Sequence, residues 1–435
     1  MDVIINTRQK DLERALAGDD QIKIIEAYLA LGQAYLDLKE TTKAYTQFDL
    51  ALKLARDINN QPLLSRLLGL IGICQKQLGN YEMSLETLQE ALEIAREIQD
   101  TRLAGDAQFH LGALLTDMEK PLEAVSYLDN ALAAALQTKD NSRKLAVSNL
   151  LGNIFLGLES IEKAVENYAT ALDSAKALGN AEAEAASRVH LAQAFLADEG
   201  YEEAIENFEL GLSIADRDGH FLIELQALHG LTQACAGVGN TSLASIYGEQ
   251  LVNKTRHANL PAKELSAIQL LVSVYHQAQN YSKAVPFLER AVELSRTVND
   301  DNWELKNLVD LGTAYYLTDD LANGKKSLQD ALEKAKHLQQ DHEAAFIAGR
   351  LASVLADSGE YEDSNQLIDD TLQLAEQLDL PLLKGEQLVL KAMNYQDQGD
   401  LKHSREALDQ AIALYQEIDR PDLVKGAEMI LEQIK

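Results

Sequence analysis

A repeat with a fixed period of 40 residues limits this chain more than anything else in it. Leu31-Gly32 recurs as Ile71-Gly72, Leu111-Gly112 and Leu151-Gly152, then as Leu191-Ala192, Leu231-Thr232, Leu271-Val272, Leu311-Gly312 and Leu351-Ala352. A second landmark, Ala51-Leu52, keeps the same step through Ala91-Leu92, Ala131-Leu132, Ala171-Leu172, Gly211-Leu212, Ala291-Val292, Ala331-Leu332 and Ala411-Ile412. Nothing is inserted between copies. Such a period belongs to a stack of like supersecondary units, each burying its apolar face against its neighbours.

Within a copy the apolar spacing is helical. Tyr28, Leu31, Tyr35 and Leu38 form one stripe, and Leu85, Leu88, Leu92, Ala95 and Ile98 form another in the following half of a unit. Short polar turns separate the halves, as in Gly79-Asn80, Gly239-Asn240 and Gly399-Asp400. The expected fold is therefore all-α. Residues 1–20 read as an N-terminal half-repeat helix, 21–420 as ten 40-residue repeats and 421–435 as a C-terminal capping helix, about 22 helices in all. Pro62, Pro261, Pro381 and Pro421 open first helices and Pro121 opens a second, where a missing amide hydrogen costs nothing. Pro286 falls about one turn inside a second helix and predicts a kink or a shortened helix there. Gly32 and its equivalents are expected to lie opposite the alanines at 44, 124, 164, 204, 244 and 284, small facing small. The sixth repeat reads as the weakest, because Gly248 stands where Phe48, Tyr168 and Phe208 stand elsewhere, and it is a candidate bend.

Composition narrows the class. Hydrophobic residues are 46%, enough for a packed core, and aromatics only 6%, which suits helix packing through Leu and Ala. A net charge of −30 repels nucleic acid and anionic lipid and favours partners with basic segments. Cys74 and Cys235 fall four repeats apart on core positions, so buried free thiols are expected and no disulfide. The start, Met1 followed by Asp2 and a mixed helix, predicts no secretory leader, and no 18-residue apolar run predicts a membrane span. The expected location is the cytoplasm.

The pattern Tyr28, Leu31, Gly32, Tyr35, Ala44, Phe48, Ala51 resembles the tetratricopeptide repeat signature, and the resemblance runs the length of the chain. The usual unit of that family is shorter. The extended second helix here, through Glu90-Ala91-Leu92-Glu93-Ile94-Ala95-Arg96, is similar to the repeats of kinesin light chains, Leu-Gly-Asn adaptors and bacterial peptide-responsive regulators. The resemblance implies a right-handed superhelical α-solenoid whose first helices line a concave groove that binds a peptide of a partner protein.

Independently, the first helices carry a second stripe that is small or polar. At the position of residue 33 the series reads Gln33, Ile73, Ala113, Asn153, Gln193, Gln233, Ser273, Thr313, Ser353, Met393, and its members from 153 to 353 are uncharged and polar. A ladder of such groups can exchange hydrogen bonds with a peptide backbone whatever its side chains. Asn149, His190, His229, His276, Asp310, Tyr316 and Arg350 surround it. The candidate peptide-binding groove is thus Asn149, Asn153, His190, Gln193, His229, Gln233, Ser273, His276, Thr313, Tyr316, Arg350 and Ser353. The family variant that clamps a C-terminal carboxylate needs Lys and Arg there. The slots around Asn149 hold Ala146, Ala186, Val189 and His190 instead, which disfavours that ligand.

No metal-ligand spacing, phosphate loop, dinucleotide fingerprint or catalytic constellation occurs, so neither cofactor nor enzymatic activity is expected. The expected function is a non-enzymatic scaffold or adaptor that binds a partner's peptide. A ligand- or peptide-sensing regulator and a self-assembling scaffold are the alternatives, and the sequence does not set the oligomeric state.

Overall fold

The computed structural model describes residues 2–434, and among them it contains 22 α-helices and no strand. The chain divides into two compact units, Met1–Ala234 and Cys235–Lys435. The first holds α1 (Asp2–Leu16), α2 (Gln21–Asp37), α3 (Thr41–Asp57), α4 (Gln61–Gln77), α5 (Tyr81–Glu97), α6 (Thr101–Asp117), α7 (Pro121–Thr138), α8 (Asn141–Gly157), α9 (Ile161–Ala177), α10 (Ala181–Ala197) and α11 (Tyr201–Asp218). The division falls within α12 (Phe221–Gly237), one helix before Gly248. The second unit continues with α13 (Thr241–His257), α14 (Pro261–Gln277), α15 (Tyr281–Thr297), α16 (Asp301–Leu317), α17 (Leu321–His337), α18 (Asp341–Asp357), α19 (Tyr361–Gln377), α20 (Pro381–Asp397), α21 (Leu401–Glu417) and α22 (Pro421–Gln433).

The turns explain the regularity. A residue with positive φ recurs every twenty positions from Lys39 to Asp419, and Gly, Asn or Asp fills most of these sites. Each is the left-handed cap that ends one helix and aims the chain into the next. At the first turn Lys39 N–H donates to Leu36 C=O and Glu40 N–H to Tyr35 C=O, so two end carbonyls are satisfied within three residues. Starts are marked as well. Asp20, Asn60, Asp100, Asp140, Asn180 and Asp300 cap first helices with their side chains. Where Leu260, Leu380 and Arg420 replace such a cap, proline follows directly and removes one of the amides that would need it. Pro286 sits inside α15, yet that helix runs the same 17 residues as its neighbours and is not shortened.

Each unit is a contiguous series of helical repeats in which consecutive helices pack together and successive first helices also touch, as α4 with α6, α6 with α8, α16 with α18 and α18 with α20. The first helices therefore share a face within each unit. The core lies between first and second helices, with Phe48, Tyr168, Phe208 and Tyr275 its largest fully buried side chains. The alanine slot does face the glycine slot, since Ser84, which replaces alanine there, donates its hydroxyl to Gly72 C=O at 2.7 Å. The other side of the glycine is not small. A Cβ on Gly32, Gly72, Gly112 or Gly152 would lie 2.4 to 2.6 Å from the side chain of Phe48, Leu88, Leu128 or Tyr168, so each glycine is a hole that a large side chain fills. Cys74 and Cys235 are fully buried and not joined by a disulfide, and burial pushes the Cys74 thiol up to about 12.

Candidate functional site

In the first unit the candidate residues lie on the shared face of the first helices. Tyr168, rooted in α9, connects them. Its hydroxyl donates to Asn153 Oδ1 of α8 at 2.6 Å, and its ring centroid lies 5.5 Å from that of His190 on α10. One turn before Asn153, Asn149 is half-buried; its Oδ1 and the Nδ1 of His190 are shielded from solvent without a hydrogen-bond partner. An unmet buried polar atom costs about 1–3 kcal/mol, which a ligand that satisfies it returns. Burial holds His190 and His229 below the ordinary imidazole range, and the Gln233 side chain opposes this at His229. Gln193 is half-buried and Gln233 exposed.

The second-unit candidates are engaged differently. The hydroxyls of Ser273, Thr313 and Ser353 donate to the carbonyls of Leu270, Val309 and Gly349 in their own helices, at 2.7, 2.8 and 3.3 Å. They keep only acceptor capacity toward a ligand, less than the ladder expected from sequence. Tyr316 donates to Asp357 Oδ2 at 2.6 Å, and His276 lies 5.4 Å, centroid to centroid, from Tyr281. Arg350 reaches from α18 to Thr313 Oγ1 at 3.1 Å.

Arg350 also lines the larger of two cavities at corresponding places on the first-helix faces. Between α16 and α18 a cavity of about 440 Å³ is lined by Leu305, Lys306, Val309, Asp310, Phe346 and Arg350, among others. Phe346 is 50% exposed, although most of α18 around it is buried. Burial pushes the half-buried Asp310 carboxyl above its ordinary range, against the opposing pull of His276, Lys306 and Arg350. The counterpart in the first unit, between α4 and α6, measures about 150 Å³. There Arg143 of α8 pairs with Asp106 and covers the Phe109 ring at 4.8 Å, and burial, aided by Arg143 and Lys76, pushes His110 down to about 3.

Sequence reasoning passed over Lys306, Phe346, Asp106, His110 and Arg143. The available signal was the four-residue spacing of Lys306 with Asp310 and of Phe346 with Arg350, which sets each pair on one helix face. Among the described residues no cluster of three or more His, Cys, Asp or Glu is placed to hold a metal ion, and no helix is long and apolar enough to cross a membrane.

No curated protein matches the chain by sequence. Among solved structures it is similar to BtubC (BKLC) from P. vanneervenii, at 18% identity over 50% of this chain and 92% of that one, with a TM-score of 0.46. The nearly identical repeats of a putative kinesin light chain from Podosopora anserina align at 17% identity, covering 45% and 97%, with a TM-score of 0.40. Aspartyl phosphate phosphatase F from Bacillus subtilis aligns at 13% identity, covering 80% and 93%, with a TM-score of 0.46. Tetratricopeptide repeat models match residues 23–97, 103–177, 145–217 and 267–301. With those matches over more than half of its length, and with helix pairs of one period throughout, the chain belongs to the tetratricopeptide repeat family.

Proposed function

We propose that this chain is a non-enzymatic interaction scaffold that holds a peptide segment of a partner protein against the first-helix face of its first unit. The observation that carries the reading is the pair Asn149 and His190, each with a shielded polar atom lacking a partner, on helices joined through Tyr168. An extended peptide presents alternating N–H and C=O groups, which are the partners an amide and a neutral imidazole lack. Gln193 and Gln233 extend the row, and the net charge of −30 favours segments with basic flanks over nucleic acid. Two buried cysteines outside any disulfide suit a reducing compartment such as the cytoplasm.

A random peptide library selected on the purified chain tests the proposal. Peptides enriched on the native protein are expected to lose at least tenfold in affinity on the Asn149→Ala, His190→Ala double variant, with helicity by circular dichroism unchanged. Equal affinity for both proteins rules this face out.

A further inference from the structure

Every other half-buried charge cluster described in the second unit is paired. Glu264, 2% exposed, is held by Arg256 and Arg290, Glu304 by Arg296 and Lys334, and Lys391 by Asp369. Asp310, the half-buried charge of the cavity between α16 and α18, breaks this habit, with Lys306 and Arg350 exposed beside it. Among the described residues Asp310 accepts no hydrogen bond, and neither Lys306 nor Arg350 has a carboxylate within ion-pair distance. Lys306 instead lies over the Trp303 ring at 4.7 Å, and Arg350 spends one donor on Thr313.

We propose that this cavity is a site for a small zwitterion with an apolar side chain, an apolar α-amino acid or a dipeptide of such residues. Its ammonium group sits at Asp310, its carboxylate is taken up by Lys306 and Arg350, and its side chain lies on Phe346. Charge order decides for a zwitterion over a simple ion. Lys306 stands one turn before Asp310 on α16, and Arg350, bonded to Thr313, stands about one turn after it. A lone anion between the cations meets Asp310, and a lone cation at Asp310 meets both Lys306 and Arg350, so either pays a like-charge penalty. A ligand with both charges cancels both. Glu343, which also lines the cavity, adds a second carboxylate to the charge balance. About 440 Å³ falls within the roughly 300–1,000 Å³ of small-molecule sites, and Leu305, Val309, Ile347 and the half-exposed Phe346 supply the apolar wall. The site lies wholly in the second unit and stands or falls apart from the peptide face of the first.

Titration calorimetry on the full chain with L-leucine, L-leucyl-L-leucine, its N-acetyl form and its C-terminal amide tests it. Leucine or the free dipeptide is expected to bind, with each blocked form at least tenfold weaker. Asp310→Asn should cost the free dipeptide at least tenfold and leave the N-acetyl form unchanged, and Arg350→Gln should do the same for the carboxylate against the amide. Phe346→Ala, at a half-exposed position, should weaken every apolar probe. Equal binding of free and blocked forms, binding of acetate as tight as that of leucine, or no heat with leucine and dipeptide at millimolar concentration would each overturn the proposal.

Discussion

The two units share one period and fill it with different side-chain chemistry. In the first, Gly32, Gly72, Gly112 and Gly152 open holes that Phe48, Leu88, Leu128 and Tyr168 fill. In the second, Gly312 with Leu328 keeps that slot and Gly385 with Tyr415 fills another, and ion pairs between repeats converge on buried carboxylates. Arg256 and Arg290 converge on Glu264, Arg296 and Lys334 on Glu304, and Tyr275 and Tyr315 donate to Glu249 and Glu289. The Arg256–Glu264 pair even recurs with its signs reversed, as Glu376 with Lys384. A fixed period thus dictates where neighbouring repeats touch and leaves the chemistry of the contact open.

The strongest way to break the comparison is to remove the buried carboxylate. Glu264→Ala leaves Arg256 and Arg290 without their shared partner; because both arginines reach solvent, the loss is expected near the low end for a broken buried pair, about 3 kcal/mol. Hydrogen exchange should show it in α13 to α15 and leave α2 to α9 as they were. Gly152→Ala is the counterpart. The added methyl would meet the Tyr168 ring at 2.5 Å, and about 2 kcal/mol of overpacking should be lost from α8 and α9. Gly69, inside α4 with open space around its Cα, supplies the opposite sign, since Gly69→Ala should gain about 1 kcal/mol of helix propensity. Urea unfolding with exchange read unit by unit measures all three, and a stabilised Gly152→Ala would sink the hole-and-knob account.

Acid sharpens the contrast at a smaller scale. Burial holds His110, His190 and His229 below their ordinary range in the first unit, so the unfolded chain takes up protons that the folded one does not. Stability of that unit should fall as the pH drops below about 6.5. Asp106, raised by burial, works the other way and only at lower pH. In the second unit burial raises Glu264 and Glu304, but the paired arginines and Lys334 outweigh it and leave both below the carboxylate range. Their contribution is complete above the unfolded value of about 4.3 and is lost as the pH falls further. Exchange at pH 5.5 against pH 7.5 should therefore show protection lost first in the first unit, and less so in His190→Asn.

Helix number and spacing are legible in the sequence, because a strict apolar period and a turn residue every twenty positions leave the backbone little choice. Much of the first-helix face was readable too, since residues four apart share a side of a helix. The glycine holes were half-readable. Gly32 signals a close approach, but Ala44 and Phe48 both lie within reach of it, and the sequence does not say that the ring, rather than the methyl, covers the missing Cβ.

The sequence by itself determined the all-helical repeat, its register and the positions that turn toward the core, since periodicity and backbone sterics act locally and identically in every copy. Only the tertiary structure decided which polar groups remain unmet. Arg143 pairs with Asp106, and Arg350 stops at Thr313 and leaves Asp310 without a donor. Those outcomes depend on the reach of side chains from neighbouring helices some forty residues apart, a distance in three dimensions that a one-dimensional period does not encode.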